Sequence, residues 1–234
     1  MKNGFVFKEN YNIEDLLLIM EKLRAPDGCM WDREQTHESI RGSLLEEAYE
    51  AADAIDHNNS DEMNEELGDV LLQVVFHAQI AKERGEFDFN TVSDGICKKL
   101  ILRHPHVFGN VCAKSSEEIL DNWEAIKQKE KNLTTPLQNL QSVPKAFPSL
   151  MRAAKVQKRA QKAGYSFSGE SDICGMLHKQ IDEISAEKAE TMIGEILFSV
   201  VSLARYLQID AEEALSCETE RFIKGFSVNT DNKC

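Results

Sequence analysis

The run Leu44-Leu45-Glu46-Glu47-Ala48-Tyr49-Glu50, followed after fifteen intervening residues by Glu66-Leu67-Gly68-Asp69, decides how this chain is read. It spells E-E-x-x-E and then E-x-x-D, each inside helix-forming sequence. Side chains three or four apart share one helix face, so Glu47 projects with Glu50, and Glu66 with Asp69, while Glu46 lies close to the side of Glu50. Four or five carboxylates aimed into one space repel each other unless cations sit between them. An oxygen-only donor set suits hard ions such as Mg²⁺ or Mn²⁺ rather than zinc or copper. The plain competing reading is a pair of solvated acidic helix faces. Two features weigh against it. Gly68 costs about 1 kcal/mol relative to Ala inside a helix and needs a packing or functional reason. The second run also continues Val70-Leu71-Leu72-Gln73-Val74-Val75-Phe76, so the acids are expected to adjoin a buried surface.

Working outward, the text is helical almost throughout. Ile13, Leu16, Leu17, Met20 and Leu23 have helical spacing over 13–24. A loop follows at Pro26-Asp27-Gly28. Thr36 is the expected N-cap of a helix reaching Asn58, and Asn58-Asn59-Ser60 a turn that caps the next, 61–84. Asn90 is the expected cap of a fourth helix ending before His104-Pro105, and Ser115-x-x-Glu118 a capping box for a fifth over 116–130. Residues 131–148 hold Pro136, Pro144 and Pro148 and read as a linker. Helices resume at 149–163, 171–185, 187–207 and 211–225, the last opened by Asp210-x-x-Glu213. No segment alternates as a strand would, so the fold class is all-α.

A chain of 234 residues with 42% hydrophobic and 29% charged residues is expected to be a soluble globular protein of one or two domains. A net charge of −13 argues against nucleic acid as a partner, which would need a basic face. It leaves phosphate binding open, because divalent ions invert the local sign. No run of eighteen apolar residues is present, so no membrane partner is expected. The start, Met1-Lys2-Asn3-Gly4-Phe5, is not a signal-peptide pattern. Cys29, Cys97, Cys112, Cys174, Cys217 and Cys234 show no metal-ligand spacing and read as reduced thiols, pointing to the cytoplasm.

The second half echoes the first. Glu65 to Val75 aligns with Thr191 to Val201, glycine on glycine, and the register continues to Ala78 and Ala204. The acids do not repeat. Met192 stands where the first copy has Glu66, and Lys179 and Gln180 replace Glu46 and Glu47; Glu183 and Glu195 remain. A lysine at the mouth of a carboxylate cage competes with the cation, so the second copy reads as degenerate.

The run Leu23-Arg24-x-Pro26-x-Gly28-Cys29-x-Trp31-Asp32-x-x-Gln35-Thr36-His37-x-Ser39, the two acidic segments and Arg103-His104-Pro105-His106-Val107-Phe108-Gly109 resemble the N-terminal repeat of MazG proteins. Val143-Pro144-Lys145-x-x-Pro148-x-Leu150 and Lys155-x-Gln157-x-Arg159-Ala160 extend the resemblance into a second repeat, so that it spans about residues 13–226. Met30 stands where the family usually has proline. The resemblance implies tandem four-helix modules completed by dimerisation: a repeat over 1–130, a linker over 131–148 and a degenerate repeat over 149–234. It implies a Mg²⁺-dependent nucleoside triphosphate pyrophosphohydrolase, with Mn²⁺ a substitute, that releases a nucleoside monophosphate and pyrophosphate and assembles as a homodimer. Glu47, Glu50, Glu66 and Asp69 would be the metal ligands, with Glu46 and Glu47 the candidate catalytic carboxylates.

Triphosphate hydrolysis also calls for cations near the β and γ phosphates and a flat surface for the base. Lys98, Lys99, Arg103 and Lys127 are candidates for the first, with Lys99 and Arg103 favoured for lying one turn apart. Trp31 and Trp123 are candidates for the second, against the commoner role of core anchor. His37, His77, His104 and His106 are not expected to act in catalysis. A di-iron bundle would need Glu-x-x-His, which the acidic helices lack. The remaining alternative is a nucleotide-binding regulatory protein with weak or no turnover.

Overall fold

The computed structural model describes residues 5–111, 115–130, 134–165 and 170–231, and every regular element among them is helical. In order these are α1 (Ile13–Arg24), α2 (Met30–Glu34), α3 (Arg41–Asp56), α4 (Ser60–Glu83), α5 (Phe89–Arg103), α6 (Pro105–Phe108), α7 (Ser116–Glu130), α8 (Pro136–Gln141), α9 (Ser149–Lys162), α10 (Glu170–Asp182), α11 (Ala189–Tyr206) and α12 (Ala211–Asp231), with a 3₁₀ turn at Ala186–Lys188. The chain divides into two compact units, Met1–Ile119 and Leu120–Cys234. Among the described residues no single helix is long and apolar enough to cross a membrane. Cys112 and Cys234 lie outside the described residues.

In the first unit, α3 and α4 form an antiparallel hairpin. Asn58 adopts the left-handed conformation (φ 52°), which asparagine tolerates better than most residues. Asn59 then accepts from the backbone N–H groups of Asp61 and Glu62 and starts α4. Ala51 and Ala54 are buried, and their small side chains let the helices approach closely. Residues equidistant from such a turn meet across the seam. Ile40 and Phe76 each lie eighteen residues from Asn58, and both belong to the core with Met20, Val75 and Ile80. Burial of side chains this size contributes about 1.5–3 kcal/mol each.

The segment from Leu23 to Gln35 docks α1 and α2 on α4. Gly28 donates its N–H to Ala25 O and Cys29 donates to Leu23 O, both at 2.8 Å. A Cβ at Gly28 would lie 2.3 Å from Leu23 O, so this loop closes only on glycine. Arg24 is almost entirely buried. It donates to Glu83 at 2.7 and 2.9 Å, to the carbonyls of Asp32 and Gln35, and lies over the Phe76 ring at 5.4 Å. One guanidinium thus ties three helices together, using the fork geometry a lysine lacks.

Several element starts differ from the sequence expectation. α3 opens at Arg41, because Thr36 and Ser39 close a polar turn on each other: Thr36 N–H donates to Ser39 Oγ and Ser39 N–H to Thr36 Oγ1. Such side-chain bonds compete with helix formation. Asp88, not Asn90, caps α5, accepting from Thr91 N–H at 2.8 Å. Gly68 has open space around its Cβ direction, and Leu67 and Leu71 beside it are exposed, so among the described residues of the first unit nothing covers this face of α4.

The second unit includes part of the stretch expected to be a linker. Thr135 and Gln138 form a reciprocal capping box for α8, and Pro136 occupies the first helical turn, where its missing N–H costs nothing. Arg159 of α9 donates to Asn139 O and Ser142 Oγ, and Val143 is buried. Residues 131–133 lie outside the description. Gln157, fully buried, donates to Phe198 O at 2.8 Å and so joins α9 to α11. Asp210 caps α12 through the N–H groups of Glu212 and Glu213.

His37 and His77 stack with centroids 5.1 Å apart and share a bond between their Nδ1 atoms at 2.8 Å. Burial, and then the neighbouring His37, hold the His77 pKa below its ordinary value near 6.5. The unfolded chain therefore binds the proton more readily, and the fold loses stability as pH falls below that value. The melting temperature of His77→Gln is expected to fall less than that of the parent between pH 7.5 and 5.5. Parallel melting curves would refute this.

Candidate active site

The α3–α4 hairpin sets the geometry of the acids. Glu47 and Asp69 each lie eleven residues from Asn58, and Glu50 and Glu66 each lie eight, so two carboxylate pairs face each other across the seam. Glu47, Glu66 and Asp69 are half-buried and can each place one oxygen within 4.8 Å of the other two. Among the described residues this is the one such group of metal-ligand side chains. Glu50 is exposed beside it, and Glu46 is exposed one residue before Glu47.

Burial and mutual repulsion both act on the cluster. Burial raises the Glu47 pKa, and Asp69, Glu50, Glu66 and Glu46 raise it further. Burial also raises that of Glu66, helped by Glu50, Asp69, Glu65 and Glu62. Each of these neighbours disfavours a second negative charge. A divalent ion among them would add an attraction that outweighs this repulsion and favours the ionised form of each carboxylate, and three carboxylate oxygens fit a hard ion. The donor set therefore suits the metal that the acidic motif calls for. Glu62 and Glu65 escaped the sequence reading, although Glu62 and Glu66 have i,i+4 spacing.

The other site candidates are spread more widely. Trp31, on α2, is 62% exposed. Lys99 is exposed on α5, Arg103 is half-buried in its last turn, and Lys98 pairs with Asp94 at 2.6 Å. On α7, Lys127 Nζ lies 4.7 Å from the Trp123 ring centroid, so these two contact each other. His104 Nδ1 bonds Leu100 O at 2.7 Å, closing the end of α5. In the second unit Lys179 Nζ lies 3.8 Å from Glu183, so a retained carboxylate there has a cationic partner from the protein itself.

The fold is that of an all-α protein with a cluster of converging acids on a helical hairpin. Residues 35–108 match the MazG nucleotide pyrophosphohydrolase domain. The chain is 43% identical over 217 residues to the nucleoside triphosphate pyrophosphohydrolase/pyrophosphatase MazG of Thermotoga maritima, covering 91% of this chain and 83% of that one. It is 42% identical over 224 residues to the nucleoside triphosphate pyrophosphohydrolase of Escherichia coli K12, covering 92% and 85%. A mazG-related protein from Thermotoga maritima of known crystal structure aligns with half of this chain at 28% identity and a TM-score of 0.43. The chain belongs to the MazG family.

Removing one member of the cluster should separate its cost from its use. Glu66→Gln is expected to raise the melting temperature in chelator, because it relieves repulsion. It is also expected to abolish the rise that saturating Mg²⁺ or Mn²⁺ produces in the parent, about 2.7 kcal/mol at one hundred times Kd. A parent protein indifferent to both ions would contradict the site.

Proposed function

We propose that this MazG-family enzyme, a hydrolase of nucleoside triphosphates, cuts its substrate to a nucleoside monophosphate and pyrophosphate with Mg²⁺ as the natural cofactor, and that the first repeat carries the reaction. The observation behind this reading is the convergence of Glu47, Glu66 and Asp69 across the hairpin, together with the raised pKa values of Glu47 and Glu66 that burial, and then the neighbouring carboxylates, produce. Glu47, Glu50, Glu66 and Asp69 would hold the metal. When bound, it neutralises triphosphate charge and makes coordinated water more acidic.

The remaining work falls to the protein's own groups. Glu46, beside the cluster and outside its converging trio, is suited to accept the proton of the attacking water. Lys99 and Arg103 would offset charge on the β and γ phosphates, and Trp31 presents an open ring for stacking on the base. Trp123 and Lys127 would form a second paired platform for base and phosphate. The substrate range would include non-canonical and deoxynucleoside triphosphates, and the setting would be the cytoplasm, with no nucleic acid or membrane needed. The repeats would occupy 1–130 and 149–234, with the second as scaffold, since Met192 and the Lys179–Glu183 pair replace its cage.

Pyrophosphate release from a panel of NTPs and dNTPs with Mg²⁺ tests the assignment. Glu50→Gln and Asp69→Asn should each lose at least about 100-fold in turnover, while Glu183→Gln stays close to the parent. Equal loss from Glu183→Gln would overturn the choice of repeat. Nucleotide binding without turnover would favour a regulatory role instead.

The same hairpin supports a homodimer. Leu45 with Tyr49 and Leu67 with Leu71 make two exposed apolar i,i+4 pairs on the acidic helices, beside a glycine with open space. Sedimentation should give twice the monomer mass, and Leu71→Lys should shift it toward one. A monomeric parent would exclude the dimer.

A further inference from the structure

Both repeats build a groove where the first helix meets the long helix and the capped start of the helix after it, but only one groove is open. In the first unit it lies between α1, α4 and the start of α5 and encloses about 80 Å³. Phe89, the first residue of α5, packs on the core and fills it, and Glu21 and Lys82 pair across it at 2.8 Å. In the second unit the equivalent groove lies between α9, α11 and the start of α12 and encloses about 680 Å³. The two correspond on the long helix and at the cap that follows it, the connection between them being four residues shorter in the second unit. Val201 replaces Val75 in the repeat register, and Arg205 replaces Gln79. Asp88 and Asp210 each cap the following helix, so Ala211 stands where Phe89 does. The smaller Ala211 is one of the differences that leave the second groove wider.

Its lining has changed in charge as well. Lys155, Lys158, Lys162 and Arg205 surround it, in a chain of net charge −13. The acid at its edge, Asp210, is engaged in capping α12. Arg205 is held in place by Gln161 Oε1 at 2.7 Å and by Gln157 Oε1 at 3.3 Å, and the buried Gln157 is itself anchored to α11. Ala154, Val201 and Ile209 supply an apolar wall. The volume falls in the range of small-molecule sites, and the pairing of an apolar wall with convergent cations selects an amphipathic anion.

We propose that this groove in the second unit binds a phosphorylated small molecule of nucleotide size, with phosphates on the Lys155–Lys158–Lys162–Arg205 rim and the ring portion against the apolar wall. Nothing in this inference depends on the chemistry assigned to the first repeat. The site needs no divalent ion, since its own side chains supply the positive charge. Losing the metal cage thus need not leave the second repeat without a ligand.

The test is ADP binding to the full chain by calorimetry in excess chelator, which silences metal-dependent binding at the acidic hairpin. ADP should bind, and more tightly than inorganic pyrophosphate. Ala211→Phe, which restores the plug of the first repeat, and Lys158→Gln, which leaves packing intact, should each weaken binding at least 10-fold. Glu66→Gln should bind like the parent. The proposal is overturned if ADP fails to bind, if binding is lost in Glu66→Gln but kept in Lys158→Gln, if pyrophosphate binds as well as ADP, or if an acidic peptide binds more tightly than either.

Discussion

The site depends on the close antiparallel pairing of α3 and α4. Two buried alanines bring the helices together, a left-handed asparagine reverses the chain, and equal spacing from that turn sets Glu47 against Asp69 and Glu50 against Glu66. The arrangement is costly by itself, because burial and four neighbouring carboxylates all oppose ionisation of Glu47. Stability comes from elsewhere in the unit. Arg24, held by Glu83, two backbone carbonyls and the Phe76 ring, fastens α1 and α2 against α4 at the end away from the acids. The hairpin can then carry repulsion at one end because it is clamped at the other.

The two units show how one helical frame can be re-equipped. Gly68 and Gly194 occupy the same register, as do Val75 and Val201, so the packing residues persist while the chemistry changes. At the cage position the acids give way to Lys179, Gln180 and Met192. At the groove position a plug and an ion pair give way to a cavity and a cationic rim. Both exchanges change the local charge while the shared glycine and valine positions persist.

Much of this was legible in the chain. The 3.6-residue periodicity of 13–24 and 61–84 and the matched register of 65–75 with 191–201 are local properties, and they specified helices and a duplication. So was the pairing of acids on each helix, which depends only on i,i+3 spacing. Helix starts were less legible where two polar residues competed. Thr36 with Ser39, and Asp88 with Asn90, offer rival caps, and only tertiary placement chose between them. The short α8 was hidden because Pro136 reads as a breaker, although in a first turn it is a starter.

The sequence by itself determined the all-α class, the family motifs and the residue types able to hold a hard cation. Those follow from periodicity and donor chemistry, which act within a few residues. Tertiary structure decided which acids converge: Glu47, Glu66 and Asp69 do, while Glu50 stays at the exposed edge. It also decided that Gly68 and its leucines face open space rather than a core, and that the groove beside Ala211 is wider than the one beside Phe89. These outcomes depend on residues far apart in the chain meeting across a helix seam, and no local spacing rule reaches that far.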